Sequence, residues 1–245
     1  MPLSKKERRS VHGAREKLRN KILARLPPAD FALLKPGLTL VDLPLRKLLE
    51  VRGRRIEHVY FLESGLASVV VTGAGHHSLE VGMIGREGMT GLSVILMAER
   101  SPNETFMQSA GEGWRISAEE LLAAMEKSPS LRNEFLRHGH SVMTQMAFTA
   151  LSNGSYKIDE RLARWLLMAQ DRSDGPVVYL THEFLSVMLG VRRPGVTAAL
   201  GDLERLGLIS AQRGSVTVLN RAGLEDAANG GYGGPEAEYE RLFGA

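Results

Sequence analysis

Arg192 and Arg193 open a stretch in which Val196, Ala199, Leu200, Leu203 and Leu206 recur at three- and four-residue steps, one stripe of a helix. The two guanidiniums fall off that stripe, as do Thr197 and Ala198 one turn later, and the stretch sets no acid beside the arginines. Such a helix buries one face and offers a basic N-terminal corner. A guanidinium is a planar fork of donors that fits the paired acceptors on a guanine edge, and Ala198 could only touch a thymine methyl. Upstream, Thr181 can cap a helix carrying Phe184, Leu185, Val187, Met188 and Leu189, and Gly190 supplies a turn. Pro194 is tolerated only because it falls in the first turn of the second helix, and Gly207 closes that helix. Two β-leaning runs, Leu208–Ala211 and Val216–Leu219, flank Gln212-Arg213-Gly214-Ser215, a tight hairpin signal. Helix, turn, helix and hairpin make a winged helix-turn-helix, the arrangement that sets a helix start against base edges in a major groove. Arg213 at the hairpin tip, with Thr181 and His182 at the first helix, is then placed for phosphates.

Other chemistries find little support. The chain has no cysteine, which removes disulfides, thiolate-ligated zinc, cysteine-bound iron–sulfur clusters and cysteine nucleophiles together. His76 and His77 would face opposite sides of a strand, and His138 and His140, two apart on a helix, also diverge, so no metal site is expected. No GxSxG, HExxH or phosphate-cradling loop ending in Gly-Lys occurs, and an enzyme is not expected.

The elements around these residues divide the 245 residues into more than one domain. The first 25 residues hold nine Lys or Arg against Glu7 and Glu16, so the overall charge of +3 is an N-terminal property and the remainder is acidic. No apolar core follows those charges and no run is long enough to span a bilayer, which predicts a cytoplasmic chain without a membrane segment. Residues 13–26 and Ala29–Leu34 read as short helices. From Leu38 to Ser117 the texture becomes short β-branched runs between glycines; Leu38–Leu43, His58–Glu63, Leu66–Thr72, Ser78–Ile84 and Thr105–Ala110 are the clearest strands of a jelly roll or β-roll. Ser117 to Glu120 is a capping box, and a helix runs from Ser130 to about Leu151. Its narrow stripe (Leu131, Phe135, Val142, Met146) suits a partner helix in a homodimer, with a hinge at Asn153-Gly154. The expected division is 1–128 for the N-terminal helices and roll, 129–152 for the dimerisation helix, 153–228 for the winged domain and 229–245 for a flexible glycine-rich tail, an α+β architecture.

In that order of parts the chain resembles the CRP/FNR family of bacterial transcription regulators, over roughly Leu26 to Glu225. The residues that carry the resemblance are Gly53, Tyr60-Phe61-Leu62-Glu63-Ser64-Gly65, Gly85-Arg86-Glu87-Gly88-Met89 and above all the run from Leu189 to Thr197. It implies a homodimeric regulator reading pseudo-palindromic double-stranded DNA, with Arg193 on a guanine edge, an effector-sensing roll, and RNA polymerase as a further partner. In cyclic-nucleotide binders of this fold a Gly-Glu stretch holds the ribose and an Arg-Ser/Thr pair the phosphate. Gly85, Glu87 and Gly88 resemble the first and Arg100-Ser101 the second, but Pro102 follows and the intervening loop is long, so a cyclic nucleotide is disfavoured. The other reading left open is a ligand-binding regulatory module whose helix-turn-helix serves protein contacts.

Overall fold

The structure is a computed structural model that describes residues 18–74 and 78–244, with the side chain of His182 outside that description. The expected N-terminal helix lies outside it up to residue 17, and the pair His76-His77 does so wholly. Within it, α1 (Lys21–Arg25) is capped by Asn20, whose side chain accepts from the Leu23 amide at 3.1 Å. The chain then passes through α2 (Pro28–Leu34), β1 (Thr39–Leu43), β2 (Leu48–Glu50), β3 (His58–Leu62), β4 (Leu66–Thr72), β5 (Ser78–Ile84), α3 (Leu92–Ile95), β6 (Glu104–Ser109) and β7 (Gly111–Ser117). The strands form two antiparallel sheets, ordered β1-β7-β3 and β2-β6-β4-β5, the expected roll. Leu43, Leu62, Ala67, Val69, Ile84 and Met107 fill its interior, and a second core packs Phe61, Ile116 and Met89 under the surrounding helices.

The strands β2 and β7 carry no sequence signal. In β7 the reason is Gly111 and Gly113, which read as loop; a Cβ there would come within 2.2 Å of the Ser64 carbonyl and 2.7 Å of that of Phe61. These glycines permit close backbone approach within a sheet.

Helix α4 (Ala118–Lys127) opens with the expected box: Ser117 Oγ accepts from the Glu120 amide at 3.2 Å, and Glu120 accepts from the Ser117 amide at 3.4 Å. Helix α5 (Pro129–Ser155) is longer than its pattern indicates, because Ser128 caps it one residue earlier and it continues unbroken through Asn153-Gly154. The expected hinge there is therefore corrected. The break comes at Tyr156 and Lys157, both extended (ψ 152° and 165°). Helix α6 (Ile158–Asp171) and β8 (Val177–Tyr179) lead into the C-terminal domain, followed by α7 (His182–Leu189), α8 (Arg193–Arg205), β9 (Ile209–Gln212), β10 (Ser215–Val218) and α9 (Arg221–Ala227).

The expected flexible tail is instead helix α10 (Gly234–Phe243). It runs antiparallel to α5: a Cβ on Gly234 would meet the Phe148 ring at 2.3 Å, and Glu238 pairs with His140 at 2.9 Å. Tyr239 reaches the Glu87 carbonyl at 3.4 Å and accepts from Arg25 at 3.0 Å. Among the described residues no helix is long and apolar enough to cross a membrane.

Candidate nucleic-acid interface

Thr181 Oγ1 accepts from the Phe184 amide at 3.2 Å and opens α7; Gly190, in the left-handed region at φ 60°, ends it. The turn is tightened by Val191 N–H donating to the Ser186 carbonyl at 3.0 Å, and Arg161 donates to the Leu189 carbonyl and to Asn153 Oδ1 (2.7 Å). Burial holds the Arg161 guanidinium below its ordinary value. Helix α8 then starts with Arg192 as its cap and Arg193 and Pro194 as its first residues, where a missing N–H costs nothing. Val196, Ala199, Leu200 and Leu203 are buried as the stripe requires. Leu206 is not: it caps the helix and is 67% exposed. In the wing, β9 and β10 pair in register Ser215↔Gln212 around Arg213-Gly214, with Gly214 at φ 86°, and β10 also pairs with β8.

The apolar stripe faces inward, so Arg192, Arg193, Thr197, Ala198 and, at the wing tip, Arg213 share the solvent side, together with Thr181. His182 is the first residue of α7, and its side chain lies outside the described residues. Two expectations need amendment. An acid does lie nearby: Glu183, on the first turn of α7, is 3.9 Å from Arg193 Nη2 and 4.0 Å from Arg46 on the roll. All three side chains are about two-thirds exposed, so solvent screening leaves these contacts weak. And Thr197 donates its hydroxyl to the Arg193 carbonyl at 3.1 Å, which engages its donor within the helix.

The residues expected to hold a cyclic nucleotide are not brought together. Glu87 accepts from Arg172 Nε at 2.6 Å and from the Gly85 amide at 3.2 Å. Burial alone would lower the Arg172 value, but Glu87, helped by Glu236 and Asp171, more than offsets it and raises it. Gly88 lies beside His138, whose imidazole burial lowers to about 4. Ser101, in contrast, donates to Glu50 at 3.3 Å, and Arg100 is exposed and donates to the Gly53 carbonyl. The Glu50 carboxylate also accepts from the Gly91 amide (2.6 Å) and Thr105 Oγ1 (2.8 Å). Those donors are taken up by the Glu50 side chain, so Ser101 is committed within the chain and apart from Glu87 and Gly88.

Of the expected dimer stripe, Leu131 and Phe135 are corrected. Leu131 and Phe135 are fully buried, Phe135 against Phe61 with ring centroids 6.1 Å apart, while Val142 and Met146 are half-buried, Met146 against the roll's core. The exposed side of α5 carries Leu136, Met143 and Leu151 at 42, 55 and 49% exposure, with Ala147 and Ala150 between them. Periodicity gave the apolar stripe, but a helix packed on its own roll spends that stripe there. The second stripe was hidden by its alanines.

The architecture is an antiparallel roll, a long helix and a C-terminal winged helix-turn-helix with an exposed basic corner. Comparison with known proteins agrees: residues 160–227 match the Crp-like helix-turn-helix domain, and over about three-quarters of its length the chain shares the fold of CRP/FNR-family structures. FixK2 from Bradyrhizobium japonicum is similar at TM-score 0.69 and 14% identity, over 78% of this chain and 96% of that one. A CRP-family transcriptional regulator from Thermus thermophilus gives 0.65 and 19%, over 77% and 96%. The c-di-GMP-responsive global regulator CLP of Xanthomonas campestris gives 0.64 and 15%, over 78% and 99%. No curated protein matches the chain.

Proposed function

We propose that the chain is a homodimeric, sequence-specific DNA-binding transcription regulator. The observation that carries this is the solvent-facing start of α8, where Arg192 and Arg193 project from a helix that buries Val196, Ala199, Leu200 and Leu203 inside the domain. Arg193 reads a guanine edge, Arg192 a base or a phosphate, and Ala198 a thymine methyl. Arg213 in the wing and the N-terminus of α7, with Thr181 and His182, hold phosphates. Thr197, its hydroxyl donor engaged, contributes as an acceptor. The dimer forms along Leu136, Met143, Ala147, Ala150 and Leu151, and its twofold axis sets two α8 helices about 34 Å apart on one face of a duplex. With Glu87 paired to Arg172 and Ser101 to Glu50, we take the effector, where one acts, to be other than a cyclic nucleotide.

The test is Arg193→Ala measured on a specific duplex and on a scrambled one. The substitution costs about 1–3 kcal/mol on the specific site and leaves the scrambled duplex nearly unaffected. Equal losses on both would remove the base-reading role, and no binding to either by the parent chain would favour the protein-contact reading.

A further inference from the structure

The helix-turn-helix domain is held by more than its link at Tyr156-Lys157. Leu66, Val70 and Met83 of the roll belong to the same apolar core as Leu162, Trp165, Met188 and Leu189. Phe184 of α7 stacks on Phe106 of β6, centroids 6.2 Å apart, and Gly190 sits against Leu79.

Glu80 of β5 lies within this apolar contact, 5% exposed. Its Oε1 accepts from Trp165 Nε1 at 2.7 Å, across the boundary between roll and domain, while its Oε2 is buried without a hydrogen-bond partner. The neighbours are Ser68 of β4, Gln108 of β6 and Met188 of α7, with Ser68 Oγ 3.7 Å from the Met188 sulfur. The end of α5 contributes Thr149, Ser152 and Asn153. The charged groups that face Glu80 are cations of α6: Arg161, Arg164 and, at its C-terminus, Arg172. Each is engaged elsewhere, Arg161 with Asn153 and the Leu189 carbonyl, Arg164 with the Gly231 carbonyl and Thr149, Arg172 with Glu87. None forms an ion pair with Glu80 among the described residues. A carboxylate in this place leaves its buried Oε2 without a partner and has no counter-ion, which a neutral carboxyl tolerates far better.

We propose that Glu80 makes the seating of the helix-turn-helix domain on the roll respond to pH: neutral, it holds the domain down; ionised, it lets the domain lift. Burial raises this carboxyl from an ordinary 4.5 to about 7, against the opposing pull of Ser68, Trp165, Arg164 and Arg172. When the domain lifts, water reaches Glu80 and its ordinary value returns. The seated form therefore binds more protons between those two values, and seating weakens as pH rises through that window, by up to about tenfold per pH unit. Above about 7 both forms are ionised and the dependence ends. His138, held near 4, stays neutral from pH 5.5 upward and adds nothing there.

The experiment uses the full chain without DNA, so its outcome stands apart from whether the chain binds a duplex. Trp114→Phe leaves Trp165 as the sole indole of two. Between pH 5.5 and 8.5 the Trp165 emission shifts to the red as pH rises to about 7 and is level above it, and adding Glu80→Gln abolishes the step and keeps the emission blue throughout. Hydrogen exchange, corrected for its intrinsic pH dependence, is at least about tenfold faster at pH 8 for residues 184–189 and 79–82 in the parent than in Glu80→Gln. Glu80→Met, of similar length and unable to ionise, behaves as the amide variant does and serves if the amide fails to fold. A flat emission profile in the parent, a step that survives both substitutions, or equal exchange in parent and variant would overturn the proposal.

Discussion

Glu50 shows how one side chain decides what a cluster can bind. Its carboxylate gathers the Gly91 amide and the Ser101 and Thr105 hydroxyls inside the roll. Glu50→Ala would strand three buried donors at once, and an unmet buried polar group costs about 1–3 kcal/mol. We expect a loss of about 2–4 kcal/mol in chemical denaturation, whereas Glu50→Gln, which keeps an acceptor, loses less. The partners lie 41, 51 and 55 positions away along the chain, a separation no local pattern reports. Arg193 is the opposite case. Its exposure follows from the stripe at Val196, Ala199 and Leu200 alone, so its setting was readable from spacing. What spacing did not show was Glu183 beside it, because that contact crosses the turn between two helices.

At the scale of elements, α5 has two apolar sides with different duties. Phe135 is buried against Phe61, so Phe135→Ala opens a cavity and costs about 3–5 kcal/mol of stability, seen as a lower unfolding midpoint. Met143 is exposed, so Met143→Glu leaves the fold intact and, for the dimer proposed above, shifts the chain to monomer in sedimentation. A dimer that survives Met143→Glu would place the pairing surface elsewhere. Capping signals served the sequence reading well where they were local, as at Ser117 and Glu120. They misled at Asn153-Gly154, where Ser152 is buried and Arg161 donates to Asn153 Oδ1, and the helix runs on through residues that would end a free one. The glycines from 230 to 234 misled for a related reason. They read as slack, yet Gly231 and Gly234 lie where a side chain would strike Ala228 and Phe148.

Over the whole molecule, α10 joins parts that are distant in sequence. Tyr239 touches Arg25 and Glu87, Gly231 accepts from Arg164, and Tyr232 donates to Asp171 at 2.8 Å. A chain ending after Asn229 loses these ties. With a loss of about 2–3 kcal/mol its melting temperature falls by roughly 4–12 °C at this size, while the α8 face is untouched. An unchanged melting temperature would mean that α10 only rests on the surface. The global arrangement was readable in outline because roll, long helix and winged domain each have a sequence texture. How they press on one another was not, since that depends on side chains such as Leu79 and Gly190 meeting from different domains. Gly190 answers to two masters: its backbone needs the left-handed turn, and a Cβ there would come within 2.8 Å of Leu79. A chimera that transplants another winged domain onto this roll is therefore served best by a bare α-carbon at that position; any side chain there has to take the left-handed turn and push Leu79 aside.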